Sequence, residues 1–399
     1  MQFFRGQTGA YFLINGLAAL SFSFILPIMS LFLVDGLGAK PGLIGVYTTL
    51  TAMATIVISQ MLGGLTDRGA SAKRLLLIAL GALCLAATGF SLANQFWHAL
   101  LVGVCLMSLG SSSIPIILGM IRRYAESTGK NSTRLNSQMR SSVSLLWILG
   151  PPIAFFAIDR FGFQGTFYLS AAVAAVVFSI TIYAIHEPKP VISQHVARKG
   201  LNLKDVPASV WLLGVMTFCA NMANSAYINA MPLYLTQQLA WPKAFPGILL
   251  GMTAAVEIPV MLLAARWSES FGKEKVVMAG FGLALCFYIG LQVVDSQLGL
   301  FLLQILNGTF FGIFVGLGIS LMQDNAPNIV GKVSAFYTNS MLVGTMAGTS
   351  MMGIVSQYFG YKAALMACLI PMVAAIGLLI LFMRSQHSRE SMANKVHSQ

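Results

Sequence analysis

The sequence predicts an all-α membrane protein: twelve transmembrane helices in two pseudo-symmetric six-helix bundles. Three observations carry that expectation. Charged residues make up 9% of the 399 and hydrophobic residues 57%, with a mean hydropathy of +0.78. A soluble domain carries about 25% charged residues, so this chain has too little polar surface to cover a soluble globule. Twelve apolar segments each approach the ~20 residues that cross a bilayer. The cationic residues gather on one side of those segments, as they do in membrane proteins of fixed orientation.

The segments lie at 9–34, 43–65, 75–94, 97–120, 135–158, 163–185, 209–235, 245–267, 276–294, 298–323, 331–357 and 361–383. The first is too long for a cleaved signal and lacks a small-residue cleavage site. With the N-terminus inside, 19 of the 24 Lys and Arg fall on inner connections, and only Lys40, Arg160, Lys243 and Lys362 fall outside. That asymmetry predicts cytoplasmic termini. It also accounts for the net charge of +12 without nucleic acid. Five cysteines stand singly in apolar stretches, with no CxxC pair, and read as small core residues.

Taken in order, the spans keep few polar groups. Span 1 holds Asn15. Spans 2 and 3 are joined by the basic turn Gly63-Gly64-Leu65-Thr66-Asp67-Arg68, closing at Lys73-Arg74. Span 4 carries Ser108, Ser111 and Ser112, which read as packing residues because small side chains let helices approach. Span 5 holds Arg140, ten residues before the pair Gly150-Pro151. At 1.5 Å per residue Arg140 sits about 15 Å nearer the cytoplasm. Its helical face also carries Trp147 and Pro151, within about 40° of it.

After span 6 the longest inner connection, 186–208, carries Pro188, Pro190 and Pro207 and reads as a linker. It separates a bundle at 1–185 from one at 209–385, and a polar tail, 386–399, follows. A second basic turn, Ala264 to Lys275, stands 201 residues after the first and at the same place in its six-span unit. Two parallel repeats of six helices are a recurring transporter plan.

Span 7 is the most polar. Asn221, Asn224, Ser225, Tyr227 and Asn229 cover an arc about 200° wide at 100° per residue. Lipid does not tolerate such an amide face, so it is expected to border a wet cavity. Span 8 holds Glu257, the only one of the 12 acidic residues far from a span end, with Pro259 beside it. A charge at mid-membrane costs about 3 kcal/mol or more and by default serves function. Proline removes a helical hydrogen bond and bends the helix there. Span 10 holds Gln304 and Asn307, and Asp324 at its inner end reads as a helix-terminal residue.

Twelve spans in six-plus-six order, with Gly63-x-x-x-Asp67-Arg68 after span 2 and Gly150-Pro151 in span 5, resemble the major facilitator superfamily over roughly residues 8–384. The chain departs from the family pattern at Ala70, where a Gly is usual, and in carrying no Arg in span 4. Met139-Arg140, Trp147–Pro152, Met231-Pro232-Leu233, Glu257-Ile258-Pro259 and Gln323-Asp324 resemble, more narrowly, the bacterial sugar efflux transporter family.

The resemblance implies alternating access about a midplane site lined by spans 1, 4, 7 and 10. Asn15, Trp147, Asn221, Asn224, Tyr227, Gln304 and Asn307 are then the expected substrate-binding residues. Amides, a phenol and an aromatic face suit a neutral polyhydroxyl ligand. Spans 5 and 8 meet across the halves in that fold, so Arg140 and Glu257 are the expected proton-coupling pair. Gly63, Asp67, Arg68, Gly150 and Pro151 are the expected conformational motifs. The expected setting is the bacterial inner membrane, with a sugar and protons as partners, a monomer, and no cofactor or metal.

A multidrug antiporter of the same fold shares the architecture, although span 1 lacks the carboxylate that exporters of cationic drugs often place there. The five histidines are scattered outside the spans and no outer loop is long, so no enzyme is expected.

Overall fold

The computed structural model describes residues 7–128, 132–185 and 207–397. These form twelve helices and, among the described residues, no strand. Helix α1 comprises Gln7–Ser23, a turn, Met29–Leu31 and a π-helical end, Phe32–Gly36. Helix α2 is Gly42–Asp67 and α3 is Ala72–Leu92. Helix α4 runs through Phe96–Leu101, a π-helical Val102–Met107, Ser108–Ser111 and Ser113–Ser127.

Helices α5 and α6 share the run Ser132–Ala184, broken at Gly162, whose φ of 67° only glycine adopts without strain. Helix α7 is Ala208–Leu233 with a π-helical end, Tyr234–Gln238. Then follow α8 (Phe245–Phe271), α9 (Lys273–Val293) and α10 (Gln297–Asp324). A 3-10 turn, Pro327–Ile329, leads into α11 (Val330–Phe359), and α12 comprises Tyr361–Ala367 and Leu369–His397.

Eight helical stretches are long and apolar enough to cross a membrane by length and composition alone. One of them, Leu145–Ala184, covers both α5 and α6. The three helices that miss the criterion are α1, cut short by its turn, and α7 and α11, which carry the amides and hydroxyls. Polarity inside a helix that still sits among buried neighbours is the first structural pointer to a site.

The chain divides into two units, Met1–Arg198 with Leu235–Gly251, and Lys199–Tyr234 with Met252–Gln399. The segment 235–251, which holds the connection after α7 and the first turns of α8, thus groups with the first unit. The expected linker, 186–208, lies outside the described residues except for its last two. The polar tail prolongs α12 as far as His397. Its Glu, Met, Ala, Lys and Arg residues are ordinary helix formers.

In the first unit α1 packs along α5 and α6, and α3 along α6. Tyr11, Ile14, Leu76, Leu80, Ile121 and Val177 form a buried core between them. Lys73 donates to the terminal carbonyls of Ile182 (2.8 Å) and Ile185 (2.7 Å), capping the end of α6 with a cation where the helix dipole favours one. Lys243 pairs with Asp35 at 2.5 Å and lies 5.3 Å from the centre of the Phe163 ring, which ties segment 235–251 to the ends of α1 and α6.

In the second unit α7 packs along α11 and α12, and α9 along α10. Phe281, Phe310 and Phe314 form an aromatic stack between α9 and α10. Asp324 ends α10 in an ion pair with Lys273 at 2.5 Å, with 58% of its side chain exposed.

The ends of α1 and α7 are built alike. Each closes with a π-helical segment sealed by a bond that reaches six residues back: Ala39 N–H to Leu33 O and Trp241 N–H to Leu235 O, both 2.9 Å. Each needs one left-handed residue, Gly38 at φ 64° and Ala240 at φ 54°. The repeat seen in the basic turns therefore extends to backbone detail.

Candidate functional site

Small residues set the helix contacts of the first unit. Gly150 of α5 is buried against Ser23 of α1, whose hydroxyl donates to Leu20 O at 2.7 Å. Any side chain at 150 would overlap Ser23 Oγ and Cβ. Pro151 and Pro152, next along α5, form the surface on which α8 begins. A side chain on Gly247 would meet Pro151 O, Pro152 Cα and Phe155 Cβ at 2.8–2.9 Å, and one on Gly251 would meet Pro152 Cγ at 2.6 Å. The motif glycine and proline are thus contact residues on two sides of one helix.

The serines of α4 are spent on packing. Ser108 donates to Thr51 O (3.1 Å) and to Gly103 O (3.0 Å), a carbonyl in the π-helical segment. Ser112 pairs with Ser59 at 3.1 Å. Asn15 is buried in α1 and Trp147 is half-buried on α5. Gly63 has open space where a side chain would be, and Arg68 is exposed. The side chains of Asp67 and Arg140 lie outside the described residues.

The second unit gathers most of the predicted polar residues. On α7, Asn221 Nδ2 donates to Met341 O (2.6 Å) and Thr345 Oγ1 (2.8 Å), both on α11. Gly344 and Gly348 of α11 allow this approach by lying directly on the α7 backbone at Phe218 and Met222. Asn224, one turn on, is 5% exposed, and its side chain makes no hydrogen bond among the described residues.

Two helical turns from Asn221, the Tyr227 hydroxyl donates to Gln304 Oε1 of α10 at 2.9 Å. Thr253 of α8 donates to the same oxygen at 2.9 Å. Gln304 Nε2 donates to Leu300 O at 3.0 Å. Asn307 Nδ2 faces Gln304 Oε1 at 3.4 Å and Thr253 Oγ1 at 3.5 Å, leaving Asn307 Oδ1 buried without a partner.

The network brings Tyr227, Gln304 and Asn307 together and adds Thr253. The sequence signal for Thr253 was its place four residues before Glu257, hence on the same helical face. Glu257 is half-buried in α8, and its carboxyl makes no hydrogen bond or ion pair among the described residues. Helices α8 and α10 meet along a glycine stripe, Gly308, Gly312 and Gly316. Side chains there would lie 2.6 Å from Thr253 O, 2.6 Å from Glu257 O and 2.9 Å from Met261 Cγ. Glycine at every fourth position is the small-residue spacing of close membrane helix pairs. The stripe clamps the backbone on either side of Glu257.

These features have known counterparts. The model of the Major Facilitator Superfamily matches the chain twice, over residues 11–214 and 213–397. Sugar efflux transporter B of Salmonella typhimurium is 30% identical over 92% of this chain and 93% of its own length. Sugar efflux transporter A of Dickeya chrysanthemi is 33% identical over 89% of this chain and 90% of its own length. Among solved structures, the nucleoside transporter NupG superposes with a TM-score of 0.76 at 16% identity, covering 95% of this chain and 98% of that one. A fold shared over almost the whole length, and a family model matched in both halves, lead to one statement of kinship: the chain belongs to the Major Facilitator Superfamily.

Proposed function

We propose that this protein is a secondary active transporter that exports sugars or sugar-like neutral solutes across the bacterial inner membrane by alternating access. The observation that carries the reading is the similarity to sugar efflux transporters along about nine-tenths of the chain. The interior of the second unit agrees with it. Its buried polar groups are amides and hydroxyls, which pair with sugar hydroxyls as both donors and acceptors.

The protein is multi-pass and not an enzyme. On the positive-inside count both termini are cytoplasmic, and the unit of function is a monomer. Transport is proton-coupled antiport. Glu257 gains and loses the proton, and Arg140 tunes it. The support is the isolation of Glu257 in mid-helix, where an ionisable group by default serves function. Asn15, Trp147, Asn221, Asn224, Tyr227, Gln304 and Asn307 are the substrate-binding residues. Gly63, Asp67, Arg68, Gly150 and Pro151 govern the change of state.

Proteoliposomes holding the purified protein test the reading. A panel of labelled mono- and disaccharides should accumulate only when a pH gradient is imposed, and organic cations should not compete. Cation competition with no sugar uptake would replace this reading by multidrug antiport.

A further inference from the structure

The four side chains Tyr227, Thr253, Gln304 and Asn307 differ in what they have left to offer a ligand. Gln304 is fully buried, and both ends of its amide are engaged. Its carbonyl oxygen accepts from Tyr227 and Thr253 at 2.9 Å each, and its amide nitrogen donates to Leu300 O. Tyr227, also fully buried, gives its proton to Gln304. Asn307 is 1% exposed, yet its Oδ1 has no partner.

The polarity of this chain is not free to reverse. A backbone carbonyl only accepts. Leu300 O therefore requires the nitrogen of Gln304, which turns the oxygen of Gln304 toward Tyr227, Thr253 and Asn307. That oxygen in turn requires the nitrogen of Asn307. The outer atom of Asn307 must be its oxygen. An amide whose two ends are otherwise interchangeable is thereby fixed as an acceptor.

We propose that Gln304 is a positioning residue that locks Asn307 as an acceptor-only reader of one substrate hydroxyl, making the transporter selective for a free hydroxyl over an ether or fluorine at that position. The proposal rests on the sugar reading above and deepens it. A hydroxyl that donates to Asn307 Oδ1 supplies the missing bond. A methyl ether or fluorine brings a second acceptor against it and leaves both unpaired, which is how buried polar sites reject close analogues. In the conformation described Asn307 is covered, so the reading takes place in a state that uncovers it.

The test uses the full-length protein in proteoliposomes. The best-transported sugar of the mono- and disaccharide panel and its complete set of monodeoxy, monofluoro and mono-O-methyl analogues compete for transport. Wild type should reject the O-methyl and fluoro analogues at one hydroxyl at least tenfold relative to the parent. Asn307→Leu should lose that discrimination. Gln304→Leu, or Gln304→Met where the first does not fold, should reduce it to within threefold, because the amide can then turn over.

The double variant Gln304→Leu with Asn307→Asp should restore it, since both oxygens of a carboxylate accept and no orientation is needed. Discrimination that survives in Gln304→Leu, or that fails to return in the double variant, overturns the positioning role while leaving sugar transport intact. Wild type that transports no sugar of the mono- and disaccharide panel overturns the sugar reading itself, and this inference with it.

Discussion

Ser23 of α1 occupies the space that a side chain on Gly150 of α5 would need. The two helices touch backbone to side chain at the motif position, with the Ser23 hydroxyl turned back onto Leu20 O at 2.7 Å. Gly150→Ala should therefore overpack this contact, and such insertions into a packed core cost about 1–3 kcal/mol. A lowered melting temperature in detergent is expected, with recovery in the double variant Ser23→Gly with Gly150→Ala. If both oxygen and Cβ of residue 23 are gone and the loss persists, steric contact is not the reason glycine stands there.

The matched ends of α1 and α7 make a second prediction. Gly38 and Ala240 hold the same left-handed turn, at φ 64° and 54°. An L-residue in that region costs roughly 1–2 kcal/mol, and glycine avoids it. Ala240→Gly should raise stability by up to about 1 kcal/mol, and Gly38→Ala should lower it by about the same amount. Thermal unfolding of both variants checks this; equal and opposite shifts are expected, and shifts of the same sign would mean the turn is not what the substitutions report.

The fold was legible because lipid enforces simple rules. Hydropathy marked the spans, and the position of Lys and Arg marked their ends. The Gly162 break falls between spans 5 and 6, and the serines of α4 are spent on packing. The site was legible only as polarity. An arc of amides shows that α7 does not face lipid, but not which neighbour uses each group.

Asn221 is taken up by α11, and Gln304 by Tyr227, Thr253 and its own helix. Those assignments depend on which helices are adjacent, which no local pattern carries. The π-helical segments were illegible for a related reason. They insert one residue into a helical turn without changing its composition.

Asn224 stands apart from its neighbours on α7 because its amide makes no hydrogen bond among the described residues, although the residue is only 5% exposed. On the substrate-facing proposal, Asn224→Leu removes a hydrogen bond made only to ligand. The expected cost is about 1–3 kcal/mol in sugar affinity, with thermal stability of the empty protein unchanged or raised. Isothermal titration on a correctly folded variant decides it: wild-type affinity would take Asn224 out of the site.

Glu257 bears the most consequential prediction. It lies mid-helix in α8, between the network residue Thr253 and Pro259, with the glycines of α10 pressed against its backbone. A structural acid would be expected to hold neighbours together, yet the Glu257 carboxyl makes no ion pair or hydrogen bond among the described residues. Its isolation suits a group that changes charge rather than one that holds a contact. Glu257→Gln keeps the shape and removes the titration. The variant should lose accumulation driven by a pH gradient, retain exchange of sugar down its own gradient, and unfold within about 0.5 kcal/mol of wild type, as substitutions that break no contact do. On the proposed coupling role, Arg140→Ala should shift the pH dependence of transport without abolishing it. Proton release on adding sugar, measured on purified wild type and on Glu257→Gln, separates the two roles. Release from wild type alone is the outcome expected of a coupling carboxyl; equal release from both, with a large drop in the melting temperature of the variant, would make Glu257 a structural acid and move the coupling elsewhere.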